Sequence, residues 1–220
     1  METTQFDWAY ARRKMVQQQV RTWDVLDDET LSLLNTLNRH EVVPPESAGV
    51  AYSDSRIPLA HGQEMMRPLL EGRLLQVLEP NGDDHVLEIG TGSGFLTACF
   101  CALSKTVVSL DIFEDLVDQA RQNVEKAGLA NAEFHVMDAT RELPAGSFDV
   151  IAVTGSMSRF DERLVDALSP TGRLFVIVGD APVMEAWLVR RETEGWTREV
   201  LFETKIKPLV NAERTTRFEF

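Results

Sequence analysis

The feature that most narrows the fold is a short apolar run, His85 to Ile89, that opens into Gly90-Thr91-Gly92-Ser93-Gly94 and then into a second apolar stretch, Phe95 to Leu103. Glycines in such a turn let the backbone reverse tightly and let a ligand approach the main chain. Strand, glycine turn and helix in this order open a parallel βαβ arrangement, and the chain goes on to repeat it. Strands are predicted over Thr106 to Ile112, Ala132 to Met137, Phe148 to Val153 and Arg173 to Val178. Helices are predicted between them, over Phe95 to Leu103, Glu114 to Ala127 (closed by Gly128) and Asp161 to Leu168. Near-continuous β-branched strands alternating with helices predict an α/β fold with a doubly wound, Rossmann-like sheet covered on both faces. The tail breaks the rhythm. Ala186 to Arg191 and Thr197 to Ile206 pair as a hairpin around Glu194-Gly195-Trp196, which predicts C-terminal antiparallel strands at the sheet edge.

Ahead of this core stands an N-terminal helical extension. Phe6 to Trp23 has helical spacing, and a second helix begins near Asp27, an N-cap residue, with Leu31, Leu34 and Leu37 on one face. Pro44-Pro45 ends the lead-in. Glu46 to Gln63 has no clear period, and so long an irregular stretch in a compact domain is often functional. Helical spacing returns at Met65, Leu69, Leu70, Leu74, Leu75 and Leu78 and stops at Pro80-Asn81-Gly82. Residues 1–80 are therefore expected to pack, as lead-in and substrate-side loop, on a core of residues 81–220, the two forming one structural unit.

Composition removes several function classes. A formal net charge of −13 disfavours non-specific binding to nucleic acid or to an anionic membrane, both of which need basic patches. The longest apolar stretch, Phe95 to Leu103, is far short of the roughly 20 residues of a membrane span. The N-terminus lacks the basic-then-apolar pattern of a signal peptide. The only cysteines, Cys99 and Cys101, point to different sides of one helix and read as buried thiols in a reducing compartment. A cytoplasmic protein is expected. His40, His85 and His135 have no metal-ligand spacing, so no metal site is expected.

The glycine loop selects among ligands by what it lacks. A nicotinamide dinucleotide fingerprint needs a third glycine where Phe95 stands, and a mononucleotide P-loop needs a Gly-Lys-Ser/Thr ending. A ligand with a nucleoside and a carboxylate but no pyrophosphate remains, and S-adenosyl-L-methionine has those parts. The carboxylate would meet free amides at the helix start. Asp111, about 20 residues past the loop, is placed for ribose hydroxyls. Asp138 bounds the adenine pocket, and Ile112, Ala139 and Thr154 sit at the same strand ends. Glu88 is an ionisable residue in an apolar strand, which requires that it cap backbone amides or meet a ligand ammonium. Glu88, Gly90, Thr91, Gly92, Ser93, Gly94, Asp111, Ile112, Asp138, Ala139 and Thr154 are the expected cofactor residues.

From about Met15 to Leu209 the chain resembles the protein-L-isoaspartate O-methyltransferase family. The resemblance rests on Val86-Leu-Glu-Ile-Gly-Thr-Gly-Ser-Gly94, on Ala51-Tyr-Ser-Asp54 with Ile57-Pro-Leu59, and on Phe148 to Thr154. Gly172 to Gly179 and Lys207-Pro-Leu209 extend it. It implies a monomer or weak homo-oligomer that uses S-adenosyl-L-methionine to methylate the carboxylate of isoaspartyl residues in damaged proteins or peptides. Such an acceptor is ionised at neutral pH, so alignment and exclusion of water replace a general base.

The chain leaves the family pattern in one loop. Where the family has Gly-Gln-Thr-Ile-Ser-Gln/Ala-Pro, this sequence has Gly62-Gln-Glu-Met-Met-Arg-Pro68. Glu64 and Met66 occupy the hydroxyl positions, and the family serine is implied to contact the reacting carboxylate. Met66 cannot donate that bond. The candidate acceptor-side residues are Glu64, Met66, Arg67 and His61, with Arg67 as a carboxylate clamp and Ser158 as a substitute hydroxyl. Two alternatives stay open. One is an enzyme for another acceptor, in which His61 or Glu64 serves as base. The other is a non-catalytic S-adenosylmethionine-binding adaptor with Trp8 and Trp23 on a partner surface.

Overall fold

A computed structural model describes residues 6–212. The first five residues of the segment without a signal-peptide pattern, and residues 213–220 of the expected core, lie outside that range.

The lead-in is one helical path that changes pitch. Helix α1 (Trp8–Met15) starts where Asp7 accepts a hydrogen bond from the Tyr10 amide at 2.8 Å. It continues as a π-helical turn over Val16–Val20 and a 3-10 turn over Arg21–Trp23, and stops at Asp24 in a left-handed conformation. Helix α2 (Asp28–Leu34) has the expected cap, with Asp27 accepting from the Thr30 amide at 2.7 Å. The irregular stretch contains a 3-10 turn over Pro45–Val50 and a two-residue strand β1 (Ile57–Pro58), which pairs antiparallel with β2 (Glu64–Met65). Met65 therefore belongs to a strand rather than to the following helix. Helix α3 (Pro68–Leu78) begins at proline, which suits the first helical position because its missing N–H would have no partner there. It ends on left-handed Glu79, the residue before Pro80, where proline disfavours helical backbone.

The core strands are β3 (His85–Ile89), β4 (Thr106–Asp111), β5 (Ala132–Val136), β6 (Phe148–Met157), β7 (Leu168–Asp180), β8 (Val183–Arg191) and β9 (Trp196–Thr204). They form one sheet in the order β5-β4-β3-β6-β7-β8-β9. The first five are parallel, and β8 and β9 return antiparallel at the edge, as the tail predicts. Helices α4 (Phe95–Leu103) and α5 (Glu114–Lys126) lie where the spacing puts them, and Cys99 and Cys101 are buried free thiols in α4. The predicted helix over 161–168 is a single turn, α6 (Arg163–Asp166), because Leu168 already pairs with Phe148 at the start of β7.

Alternation along the strands sends side chains to two apolar layers. Val86, Val107, Val150 and Phe175 pack with α3, α4, α5 and the lead-in residues Met15, Val20 and Leu34 in one cluster. Leu87, Ile89, Ile151 and Val176 face the other way. Both faces are covered, but unequally. Whole helices cover the first, while α6 and the loop side chains Leu143 and Phe160 cover the second. No helix among the described residues is long and apolar enough to cross a membrane.

Two arginines tie α3 into place. Arg173 donates to the Leu78 and Glu79 carbonyls (2.7 and 2.6 Å) and pairs with Asp84 at 2.7 Å, which satisfies carbonyls left over at the end of α3. Arg39, fully buried, pairs with Glu71 of α3, donates to the Met66 carbonyl at 2.7 Å and lies 4.8 Å over the Phe95 ring. Burial pushes the Glu71 carboxyl above its ordinary range, with the Arg39 guanidinium opposing it. Removing one partner of a buried pair leaves an uncompensated charge. Arg39→Met is therefore expected to lower the unfolding free energy by about 3–5 kcal/mol in urea titrations. Arg39→Met/Glu71→Leu is expected to recover most of it; a double variant as unstable as the single one would refute that account.

Candidate cofactor and acceptor site

The chain leaves β3 for β4 and β5 on one side, then returns to β6 on the other. The carboxyl ends of β3 and β6 therefore border a crevice, the place where open α/β sheets bind ligands. A cavity with about 940 Å³ of empty space, its open mouth included, lies there.

Its floor is the glycine turn. Gly90 has φ +97°, and a Cβ there would fall 2.1 Å from Thr154 Oγ1. Thr154 donates to the Ile89 and Gly90 carbonyls at 3.0 and 2.8 Å, so β6 holds the turn from beside it. The turn is also held by β4 and by its own carbonyl at Thr91, which limits the free amides the sequence predicts. Gly90 and Thr91 donate to the Leu110 carbonyl, and Gly94 donates to the Thr91 carbonyl. Gly94 itself does not line the cavity. It lies against the Ala120 backbone, 2.9 Å from where its Cβ would be, so this glycine serves the packing of α5.

Acids lie at or near the carboxyl ends of three neighbouring strands. Asp111 accepts from the Gly92 and Phe113 amides at 3.1 and 3.2 Å, and burial holds its carboxyl above the ordinary value against these bonds. Asp138 follows β5. Burial opposes its ionisation, but hydrogen bonds from Thr140 (2.6 Å) and Asn211 (2.8 Å) outweigh this and keep its pKa below the usual range. Glu88, within β3, is fully buried. Its Oε2 accepts from Thr97 Oγ1 at 2.5 Å and Ser109 Oγ at 2.6 Å, while Oε1 has no partner. Ser109 spends its proton on Glu88, so the 2.7 Å contact with Thr91 Oγ1 must run from Thr91 to Ser109. Burial pushes the Glu88 carboxyl up to about 8, against the two hydroxyl donors. The expected backbone cap is thus made by hydroxyls, and one oxygen stays available to a ligand donor.

The roof comes from β1–β2 and the C-terminal segment. Ser156 donates to the Lys207 carbonyl and accepts from the Leu209 amide, both at 2.9 Å, which fixes residues 207–209 to the end of β6. Lys207 donates to the Gly62 carbonyl across the mouth.

Of the residues the sequence singles out, Glu88, Gly90, Thr91, Gly92, Ser93, Asp111, Ile112, Asp138, Ala139 and Thr154 line the cavity, and so do Glu64 and Met66. Arg67, His61 and Ser158 do not, each for a visible reason. Arg67 pairs with Asp54 at 3.1 Å beside the start of α3. His61 binds both oxygens of Asp115 (2.8 and 2.9 Å) and stacks on Phe113 with 4.1 Å between centroids. Ser158 donates to Asp180 at 2.6 Å. Sequence reasoning missed Glu71 and Phe113 in the wall, and it named Lys207 only within the Lys207-Pro-Leu209 resemblance to a substrate-side turn. A signal for Glu71 did exist, as one charge on the apolar stripe of α3.

Comparison with known proteins agrees with this geometry. The family model for Protein-L-isoaspartate(D-aspartate) O-methyltransferase matches residues 11–213. A protein-L-isoaspartate O-methyltransferase of Methanoculleus marisnigri is 35% identical over 183 residues, 82% of this chain and 83% of that protein. One of Trichlorobacter lovleyi is 33% identical over 205 residues, 92% of this chain and 94% of that one. A Plasmodium falciparum structure assigned as such an enzyme, in complex with S-adenosyl-L-homocysteine, superposes with a TM-score of 0.79 at 20% identity. It covers 90% of this chain, and 97% of its own length is matched, which establishes a shared fold.

The raised Glu88 carboxyl has a consequence for stability. In the folded protein Glu88 keeps its proton up to about pH 8, whereas unfolded it releases it near its ordinary 4.5. Between those values the unfolded chain binds fewer protons, so the stabilisation present below 4.5 is lost as pH rises through 8. This one group contributes a slope of about 1.4 kcal/mol per pH unit in that window. Urea titrations of the ligand-free protein at pH 5, 6 and 7 should show Glu88→Gln with a shallower decline than the parent. Equal declines would mean that Glu88 is ionised in the fold.

Proposed function

We propose, from the premise that this chain belongs to the protein-L-isoaspartate(D-aspartate) O-methyltransferase family, that it uses S-adenosyl-L-methionine to methylate the carboxylate of isoaspartyl residues in damaged proteins. The observation that carries the reading is the partnerless, buried Oε1 of Glu88 at the floor of an acid-lined crevice whose glycine turn admits no Cβ at position 90.

The residues present fit that cofactor. Glu88 Oε1 can accept from its ammonium, and Asp111, oriented by two backbone amides, can accept from ribose hydroxyls. Asp138, Ile112, Met137 and Ala139 bound the space for adenine. The cofactor, when bound, supplies a methyl group on a positively charged sulfur. Phe95, Leu96, Met65, Met66 and Leu59 line the same space and exclude water from it. Glu88 and its hydroxyl donors offer negative charge without a mobile solvent shell once a ligand cation displaces the retained proton.

The acceptor side asks little of acid–base chemistry. In an isoaspartyl residue the chain runs through the side-chain carbonyl and leaves the α-carboxylate free; with a pKa of about 3.5 it is ionised before it arrives, so no group need take its proton. That accords with a wall from which His61 is held away by Asp115 and Phe113. A second reading, methylation of a different acceptor by a related enzyme, is favoured by one observation: Met66 in the wall carries no hydroxyl. The charge of −13 and the two buried thiols support a cytoplasmic protein that works on polypeptide rather than nucleic acid, as a monomer or weak homo-oligomer.

Two measurements test the proposal. Isothermal calorimetry should show Asp111→Ala binding S-adenosylmethionine about 10- to 100-fold more weakly, the effect of losing hydrogen bonds to a charged group. Labelled cofactor should pass methyl groups to an isoaspartyl peptide and not to its aspartyl counterpart. Equal, background-level labelling of both would sink the isoaspartyl reading; transfer to another acceptor in a lysate would then favour the second.

A further inference from the structure

The cavity wall is unbalanced in charge. Glu64, Glu71, Asp111 and Asp138 line it, with Glu88 beside them holding its proton until a cation arrives, and among the described residues Lys207 is the one cation that does. Such a wall suits a cationic cofactor and repels an anionic acceptor. Most of the acids are answered from behind: Glu71 by Arg39, Asp138 by Arg141 at 3.1 Å, and Glu64 by Arg56 at 3.3 Å. Lys207 lies 3.9 Å from the other Glu64 oxygen, a Coulombic contact beyond hydrogen-bond length. Arg56, Glu64 and Lys207 together carry one net positive charge, and Lys207 is the cation of the three that lines the cavity. An ammonium has three donors, of which the Gly62 carbonyl takes one.

We propose that Lys207 is the residue that binds and orients the acceptor carboxylate, in place of the loop hydroxyl that Met66 lacks. Arg56 and Glu64 act as its positioning residues. The assignment rests on the carboxylate-acceptor reading above. Three features of the fold support it. The backbone of Lys207 is anchored to the end of β6 through Ser156. Its side chain is 46% exposed while lining the cavity, so it is reachable from solvent. Lys207 and Gln63 also line a second cleft with residues 208–212, so the two cavities share Lys207 in their walls. Glu64 then tunes the site. By holding Lys207 loosely and Arg56 more closely, it limits the positive charge to what a single carboxylate needs.

The test is steady-state turnover of an isoaspartyl peptide together with S-adenosylhomocysteine binding by the same proteins. Lys207→Met is expected to raise the peptide KM at least tenfold and leave S-adenosylhomocysteine affinity within twofold, and Lys207→Arg to keep most of the parental KM. Glu64→Gln, which leaves Lys207 in place, should lower the KM, and Arg56→Met should raise it by surrendering Lys207 to Glu64. These two keep the proposal open to refutation if the methionine variant does not fold. A Lys207→Met enzyme with parental KM, or a Glu64→Gln enzyme with a raised KM, overturns the role of Lys207 and leaves the isoaspartyl reading intact. A parent protein that methylates no isoaspartyl peptide overturns both.

Discussion

One buried guanidinium joins the parts of this protein that would otherwise be separate. Arg39 comes from the lead-in, yet it is fully buried and touches three other segments: Glu71 on α3, the Met66 carbonyl in the acceptor loop, and the Phe95 ring just after the glycine turn. A charge removed from water must be answered by charge and hydrogen bonds in a fixed arrangement. That requirement sets the loop carrying Met66 relative to the start of α4, which means setting the acceptor side of the cavity relative to the cofactor side. Groups that react by direct displacement depend on such alignment more than on any proton relay.

The second constraint is electrostatic. Carboxylates end β4, follow β5 and lie within β3, and the sheet order brings them to one crevice. Gathering acids in a buried space is unfavourable unless each has donors, and the three are provided for differently. Asp111 uses backbone amides, Asp138 uses Thr140 and Asn211, and Glu88 uses two hydroxyls on one oxygen only. The remaining Glu88 oxygen is the point where the fold is incomplete by itself. Its raised pKa expresses the same incompleteness as a retained proton, which a ligand cation would displace.

The core was legible because its signals are local. β3, α4 and α5 appear within a residue of where β-branched runs and helical spacing put them, since a strand or helix buried on one face must show that face in its sequence. The residues that line the crevice were legible for the same reason, as many of them sit at strand ends. Failures came where distant partners decide. Nothing near Arg67 announces Asp54, thirteen residues earlier, which takes its charge out of the cavity. Nothing near His61 announces Asp115, on a helix 54 residues later. Gly94 reads as a third loop glycine, but its small size is needed by the backbone of α5. The short strand pair β1–β2 has no periodicity to show, being two residues on each side.

This difference between the two halves of the site explains where the chain departs from the pattern it resembles. At Gly90 a single added carbon would meet Thr154 Oγ1 at 2.1 Å, and the hydroxyl it would displace is itself holding the turn. That part of the crevice leaves no room for a side chain at position 90. The acceptor half is made of side chains that reach across from separate segments: Glu64 from β2, Arg56 ahead of β1, Lys207 from the C-terminal turn. Charges placed on flexible stems can exchange partners without moving backbone. On the proposal above, position 207, in the segment after β9, answers for the hydroxyl that position 66 lacks, with the carboxylate at 64 held by a second cation. Arg56 is that cation, and its own guanidinium is fixed in turn by the Lys205 carbonyl at 2.5 Å, two residues from Lys207. On the proposal above, Glu64 and Met66 act as parts of a set that includes Arg56 and Lys207.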